Sequence, residues 1–122
     1  MLGLIVACSN NASNDNGSDT TANAAPATND ISTNPDYQKG LALIAANDCL
    51  TCHKVDEKVT GPAYRDVANK YDNTDENVKT LAGKVIKGGS GNWGNVPMTP
   101  HPALSEADAE QMVKYILLLR NK

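Results

Sequence analysis

Large apolar side chains are absent from much of the first third of the chain and regular thereafter. Residues 9–34 consist almost wholly of Ser, Asn, Asp, Thr, Ala and Gly, with Ile31 the one apolar residue of size. Such a stretch buries too little surface to offset its ordering entropy and is predicted to be a flexible tether. As a coil of about 26 residues it would hold its ends roughly 30 Å apart. From Asn34 onward the period becomes helical. Asn34 is placed to cap a helix with Pro35 at its first position and Asp36 in its first turn. Leu41, Ile44 and Ala45 then share a face, and this helix is expected to run into Cys49. A second helix follows Gly61-Pro62 through Tyr64, Val67, Ala68 and Tyr71. A third opens at Thr74, turns Val78, Leu81, Val85 and Ile86 inward, and stops at Gly88-Gly89. Residues 88–102, rich in Gly, Asn and Pro, read as loop. Ser105 with Asp108 three positions on opens the last helix, whose apolar face is Met112, Val113, Ile116, Leu117 and Leu119. With no alternating strand pattern and no internal repeat, residues 35–122 are predicted to form one all-α domain of about four helices.

Composition sharpens this picture in two ways. The domain has few aromatic residues (Tyr37, Tyr64, Tyr71, Trp93 and Tyr115, with no Phe in the chain), and a domain so small usually needs a staple to supplement its core. A large flat apolar cofactor would serve. The net charge of -3 is unevenly spread. Asp15, Asp19, Asp30 and Asp36 are unopposed in residues 1–36, and the remaining ten acids nearly balance all eleven bases. Nucleic acid, which selects a strongly basic face, is not an expected partner.

Two of the three cysteines lie in Cys49-Leu50-Thr51-Cys52-His53, and an odd number argues against a simple disulfide framework. Cys-x-x-Cys-His is the attachment signature of c-type haem. Cys49 and Cys52 would each form a thioether to a vinyl group on one porphyrin edge, which brings His53 under the iron as an axial ligand. A thioredoxin-like redox site would need a βαβ context, which is missing. Zinc would need a fourth ligand, and adjacent Cys52 and His53 with distant His101 make a poor tetrahedron. For the sixth position the candidate is Met98, in the proline-stiffened Val96-Pro97-Met98-Thr99-Pro100; Met with His raises a haem's reduction potential. The alternative for Met98 is packing on the core. Met112 falls on the apolar face of the last helix and reads as core. His101, the rival ligand, is expected in solvent between Pro100 and Pro102.

Taken together, Cys49 to Val55, Gly61-Pro62-Ala63-Tyr64, the run Gly91 to Met98 and the final helix resemble the small bacterial class I cytochromes c over about residues 35–122. The resemblance implies a helical fold wrapped around one covalent haem. It implies that the Pro62 carbonyl accepts a hydrogen bond from the His53 ring. It also implies that Trp93 packs beside the haem and reaches a propionate, core filling being the alternative. In that family the first and last helices cross where a glycine meets aromatic residues. Gly40 and Tyr115 match, whereas Ile44 stands where an aromatic is common.

The expected function is single-electron transfer between a redox donor and an acceptor docking weakly at an exposed haem edge. Lys54, Lys58, Lys84 and Lys87 are candidates to flank that edge, with a solvated mixed-charge surface as the alternative reading. A second reading is a haem sensor or enzyme with an open sixth site, and a third is a subunit serving one larger oxidase or reductase. Residues 1–8, Met-Leu-Gly-Leu-Ile-Val-Ala-Cys, resemble the end of a bacterial lipoprotein signal, with Cys8 as the lipidated residue. Haem attachment outside the bacterial cytoplasm agrees with that anchor. The expectation is therefore a lipoprotein tethered to a membrane on the periplasmic side.

Overall fold

A computed structural model describes residues 30–122. Cys8, the signal-like residues before it and residues 9–29 of the expected tether lie outside the described residues. Residues 30–34, the last of the expected 9–34 tether, are not a plain linker but part of the folded domain. A 3-10 turn over Ile31–Thr33 is capped by Asp30, whose carboxylate accepts from the Ser32 amide, and it lays Ile31 against the core.

Four α-helices follow: α1 (Pro35–Ala45), α2 (Tyr64–Lys70), α3 (Asp75–Lys87) and α4 (Glu106–Leu118). Their starts are written in short-range chemistry. The Asn34 side chain accepts from the Asp36 amide at 2.8 Å, Thr74 from Asn77 at 3.2 Å and Ser105 from Asp108 at 3.1 Å. Each bond satisfies one of the amides that a helix N-terminus leaves without an intrahelical partner.

α4 is the organising element and packs against α1, α2 and α3. It contributes to two apolar clusters. One gathers Ile44, Tyr64, Ala68, Met112, Tyr115, Ile116 and Leu119; the other gathers Val78, Leu81, Ala82, Ala109, Val113 and Leu117. α1 crosses α4 at Gly40. A Cβ there would sit 2.6 Å from the Gln111 carbonyl oxygen and against the Tyr115 side chain, so only hydrogen fits. The glycine-to-aromatic crossing implied by the resemblance is present, and Ile44 fills its position fully buried.

Arg65 on α2 ties down the far end of α4. Its guanidinium donates to the Leu119 carbonyl at 2.6 Å and pairs with Asp56, and Asn69 accepts from the amides of Asn121 and Lys122.

Three further sequence expectations need correction. First, α1 does not run into the cysteine motif. It stops at Ala45, Asn47 caps it by donating to the Leu43 carbonyl at 2.7 Å, and Asp48 turns the chain with a left-handed φ of 54°. Cys49–Thr51 then form a separate 3-10 turn.

Second, residues 88–102 are not all loop. β1 (Gly89–Gly91) and β2 (Gly94–Met98) pair antiparallel, with Gly89 opposite Met98 and Gly91 opposite Gly94 and a register irregularity between them. The domain is therefore helical with one small hairpin. Gly88 permits it, with a φ of 68° and no room for a Cβ, which would lie 2.8 Å from the Pro100 nitrogen.

Third, His101 is not free in solvent. It is half-buried, its amide donates to the Ile86 carbonyl at 2.9 Å and its Nδ1 lies 3.2 Å from the Val85 carbonyl. Those carbonyls belong to the last turn of α3, where a helix leaves acceptors unpaired.

Candidate haem site

The two apolar clusters leave a cavity of about 710 Å³ beside α4, within the range of roughly 300–1,000 Å³ typical of cofactor and small-molecule sites. One wall carries Cys49, Cys52 and His53, and the wall from the hairpin carries Trp93 and Met98. Between them the lining is largely apolar, with Ile44, Leu81, Met112 and Ile116 from the core. Met112 is core as expected, and it also forms part of this wall. The sequence-predicted residues Cys49, Cys52, His53, Pro62, Trp93 and Met98 thus come together around one space.

The segment after the 3-10 turn fixes His53. Gly61 donates its amide to the Cys52 carbonyl at 2.8 Å, and the amides of Tyr64 and Arg65 donate to the carbonyls of Lys54 and Val55 at 2.9 Å. This closes residues 52–65 into a loop that folds Gly61-Pro62 over the imidazole. His53 Nδ1 lies 2.8 Å from the Pro62 carbonyl oxygen, the contact the family resemblance implies. With the proton on Nδ1 and donated to that oxygen, Nε2 keeps a free lone pair for a metal.

Cys49 is half-buried and Cys52 exposed, and no disulfide joins them.

Met98, on the part of the lining that the hairpin supplies, ends β2 and is half-buried. Its backbone is held by pairing with Gly89 as well as by the flanking prolines. Trp93 is on the cavity lining. The Lys70 ammonium sits 4.5 Å above the indole ring and donates to the Asn92 carbonyl at 3.3 Å, which fastens the hairpin tip to α2.

Sequence reading did not single out Lys70, Gly61 or Tyr64 as site-shaping residues. For Gly61 and Tyr64 the signal was the Gly61-Pro62-Ala63-Tyr64 run leading into a short helix, and for Lys70 there was none. What each side chain touches depends on the tertiary fold.

The residues fit a haem. Two thiols, an imidazole and a methionine line one large, mostly apolar space. Among the described residues no group of three or more His, Cys, Asp or Glu side chains is arranged to hold a bare metal ion. A helical shell around such a space, with the thiols and histidine of an attachment motif on its wall, defines a c-type haem domain.

The comparisons agree. The cytochrome c family model matches residues 37–120. Cytochrome c-552 of Nitrosomonas europaea is 45% identical over 83 residues, 68% of this chain and 81% of that protein. Cytochrome c-552 of Hydrogenobacter thermophilus is 47% identical over 78 residues, 64% of this chain and 79% of that protein. The crystal structure of wild-type Nitrosomonas europaea cytochrome c552 superposes with a TM-score of 0.61 at 44% identity, covering 65% of this chain and 98% of that one.

This chain belongs to the cytochrome c family. It is a small class I, mono-haem electron carrier, and its cofactor is one covalently attached haem c.

Proposed function

We propose that Cys49 and Cys52 are the two thioether anchors, that His53 and Met98 are the axial ligands, and that the domain passes single electrons between proteins outside the cytoplasm. The observation that carries this reading is the placement of those four side chains on the walls of one apolar cavity, with His53 Nδ1 already engaged by Pro62. When bound, the haem supplies an iron that alternates between two oxidation states. The protein's part is to hold both axial positions, exclude water and keep the ligand geometry unchanged between those states. With both positions filled there is no place for a substrate, so the open-site sensor or enzyme reading requires Met98 to stay off the iron. His101 also lines the cavity with its Nδ1 against the Val85 carbonyl, so it is the rival sixth ligand that the Met98 variant tests.

Redox partners would dock where the cofactor edge meets solvent. Val96 lines the cavity and is 60% exposed, and Leu50 and Val59 are large exposed apolar residues next to the lining residues Cys49 and Thr60. An apolar rim of this kind suits small, quickly dissociating encounters. Of the lysines considered for steering, Lys84 lies on the cavity wall, while Lys54 is 3.8 Å from Glu57 and partly neutralised. Trp93, exposed at the wall and held by Lys70, is placed to meet a haem propionate.

The test is Met98→Ala. Haem should stay attached through the cysteines, the sixth position should open to added ligands, and the reduction potential should fall. A variant with the parent's spectrum and potential would refute the ligand assignment.

Two further elements of the reading concern the N-terminus. Cys8 is the proposed lipidation site, and residues 9–29 are the proposed tether to a membrane on the periplasmic side. Among the described residues no helix is long and apolar enough to cross a membrane. Cys8→Ala should move the holoprotein from the membrane to the soluble fraction of cells. Unchanged membrane association would remove the anchor from the account.

A further inference from the structure

The proximal histidine is gripped by more than its hydrogen bond. The Tyr64 ring lies almost parallel to the His53 ring, at 18° with centroids 5.0 Å apart. Gly61 presses on the same imidazole so closely that a Cβ on it would come within 2.8 Å of Nδ1 and 3.0 Å of Nε2. Tyr64 is 4% exposed and does not stand alone. Its ring meets Tyr115 edge-on at 6.4 Å and 89°, and Tyr115 in turn meets Tyr37 at 5.0 Å and 64°. Tyr115 is also the residue against which Gly40 packs where α1 crosses α4. A file of aromatic rings therefore runs from the crossing of the terminal helices to the cofactor-facing histidine.

A hydrogen bond from Nδ1 holds the imidazole in place but, because a carbonyl accepts over a broad range of directions, it limits rotation of the ring plane only loosely. A stacked ring restrains that rotation directly. We propose that Tyr64, backed by Tyr115, is a positioning residue that sets the plane of the His53 ring about the iron–nitrogen axis and thereby tunes the haem's electronic state. The inference rests on the assignment of His53 as an axial ligand. It adds that the ligand's orientation is dictated by the helix crossing through an aromatic contact, independently of the Pro62 bond.

The experiment uses ferric and ferrous holoprotein of the parent, Tyr64→Phe and Tyr64→Leu. Proton NMR of the ferric form reports the ligand plane through the spread of the haem methyl shifts, and the reduction potential is measured alongside. Tyr64→Phe keeps the stacked ring and should reproduce the parent's methyl pattern and potential. Tyr64→Leu should reorder or compress the methyl shifts and move the potential, with the far-red methionine band retained. Should Tyr64→Leu fail to accumulate with haem, Tyr64→Met, which fills the space without a ring, is read in the same way.

Parent-like methyl shifts and potential in the ringless variant would overturn the inference. Equal changes in the Phe and Leu variants would also overturn it, because the hydroxyl and not the stack would then be responsible. Hyperfine-shifted His53 ring protons in the parent separate the two levels of the argument. Their absence would remove the ligand assignment and this inference with it, whereas their presence with unaltered variants would remove the inference alone.

Discussion

Asp48 is the residue whose backbone the site strains. It is the only non-glycine residue with positive φ among the described residues, and it stands directly before the first cysteine. The left-handed conformation costs an ordinary L-residue roughly 1–2 kcal/mol, somewhat less for Asp or Asn, and costs glycine almost nothing sterically. Glycine's greater freedom in the unfolded chain offsets part of that relief. Asp48→Gly is therefore expected to stabilise the holoprotein by up to about 1 kcal/mol, read as a higher denaturant midpoint with an unchanged haem spectrum. A lower midpoint would mean that the carboxylate contributes more than the backbone strain costs. At this scale the sequence was informative about chemistry. Cys49, Cys52, His53 and Met98 were singled out from motif and spacing and Pro62 from the family resemblance, and all line the cavity. It was silent about the side chains that steady them. Tyr64 and Lys70 look like ordinary members of an amphipathic helix until the fold brings His53 and Trp93 against them.

Helices whose ends are fixed by neighbours in sequence were legible, and elements fixed from a distance were not. Asn34, Thr74 and Ser105 each cap within three residues, so the starts of α1, α3 and α4 could be read directly. The hairpin could not, because β1 is Gly-Ser-Gly and β2 contains Pro97, with no alternating pattern to mark either. Its pairing depends on glycine backbone freedom and on Lys70 holding its tip. His101 was misplaced for a related reason, since its partners are carbonyls at the end of α3.

The α1–α4 crossing makes a quantitative prediction. Alanine is favoured over glycine within a helix by about 1 kcal/mol. The methyl group of Gly40→Ala would nevertheless meet the Gln111 carbonyl and the Tyr115 side chain at the closest approach of the two helices, and overpacking typically costs about 1–3 kcal/mol. The clash should win, and the variant should unfold at lower denaturant concentration than the parent. A more stable variant would show that the crossing relaxes at little cost.

The molecule as a whole is a core divided by a cofactor-sized space. α4 supplies buried residues to both apolar clusters, and the cavity touches Ile44 and Met112 on one side and Leu81 and Val113 on the other. A chain poor in aromatic residues thus leaves an opening that a large apolar ring system would complete, as its composition suggested. Organisation at this scale was legible because the haem motif, the glycine at the crossing and the last helix recur in fixed order along the chain. The division of the core around α4 was not, since it arises from contacts among helices far apart in sequence.

The central claim is that His53 and Met98 close both axial positions of a covalently held haem, which makes the domain an electron carrier. The most direct test is the optical spectrum of the ferric protein purified from a host that attaches c-type haem. The account predicts a low-spin spectrum with the weak far-red band of methionine sulfur on ferric iron. Attached haem with a high-spin spectrum and no such band would contradict it.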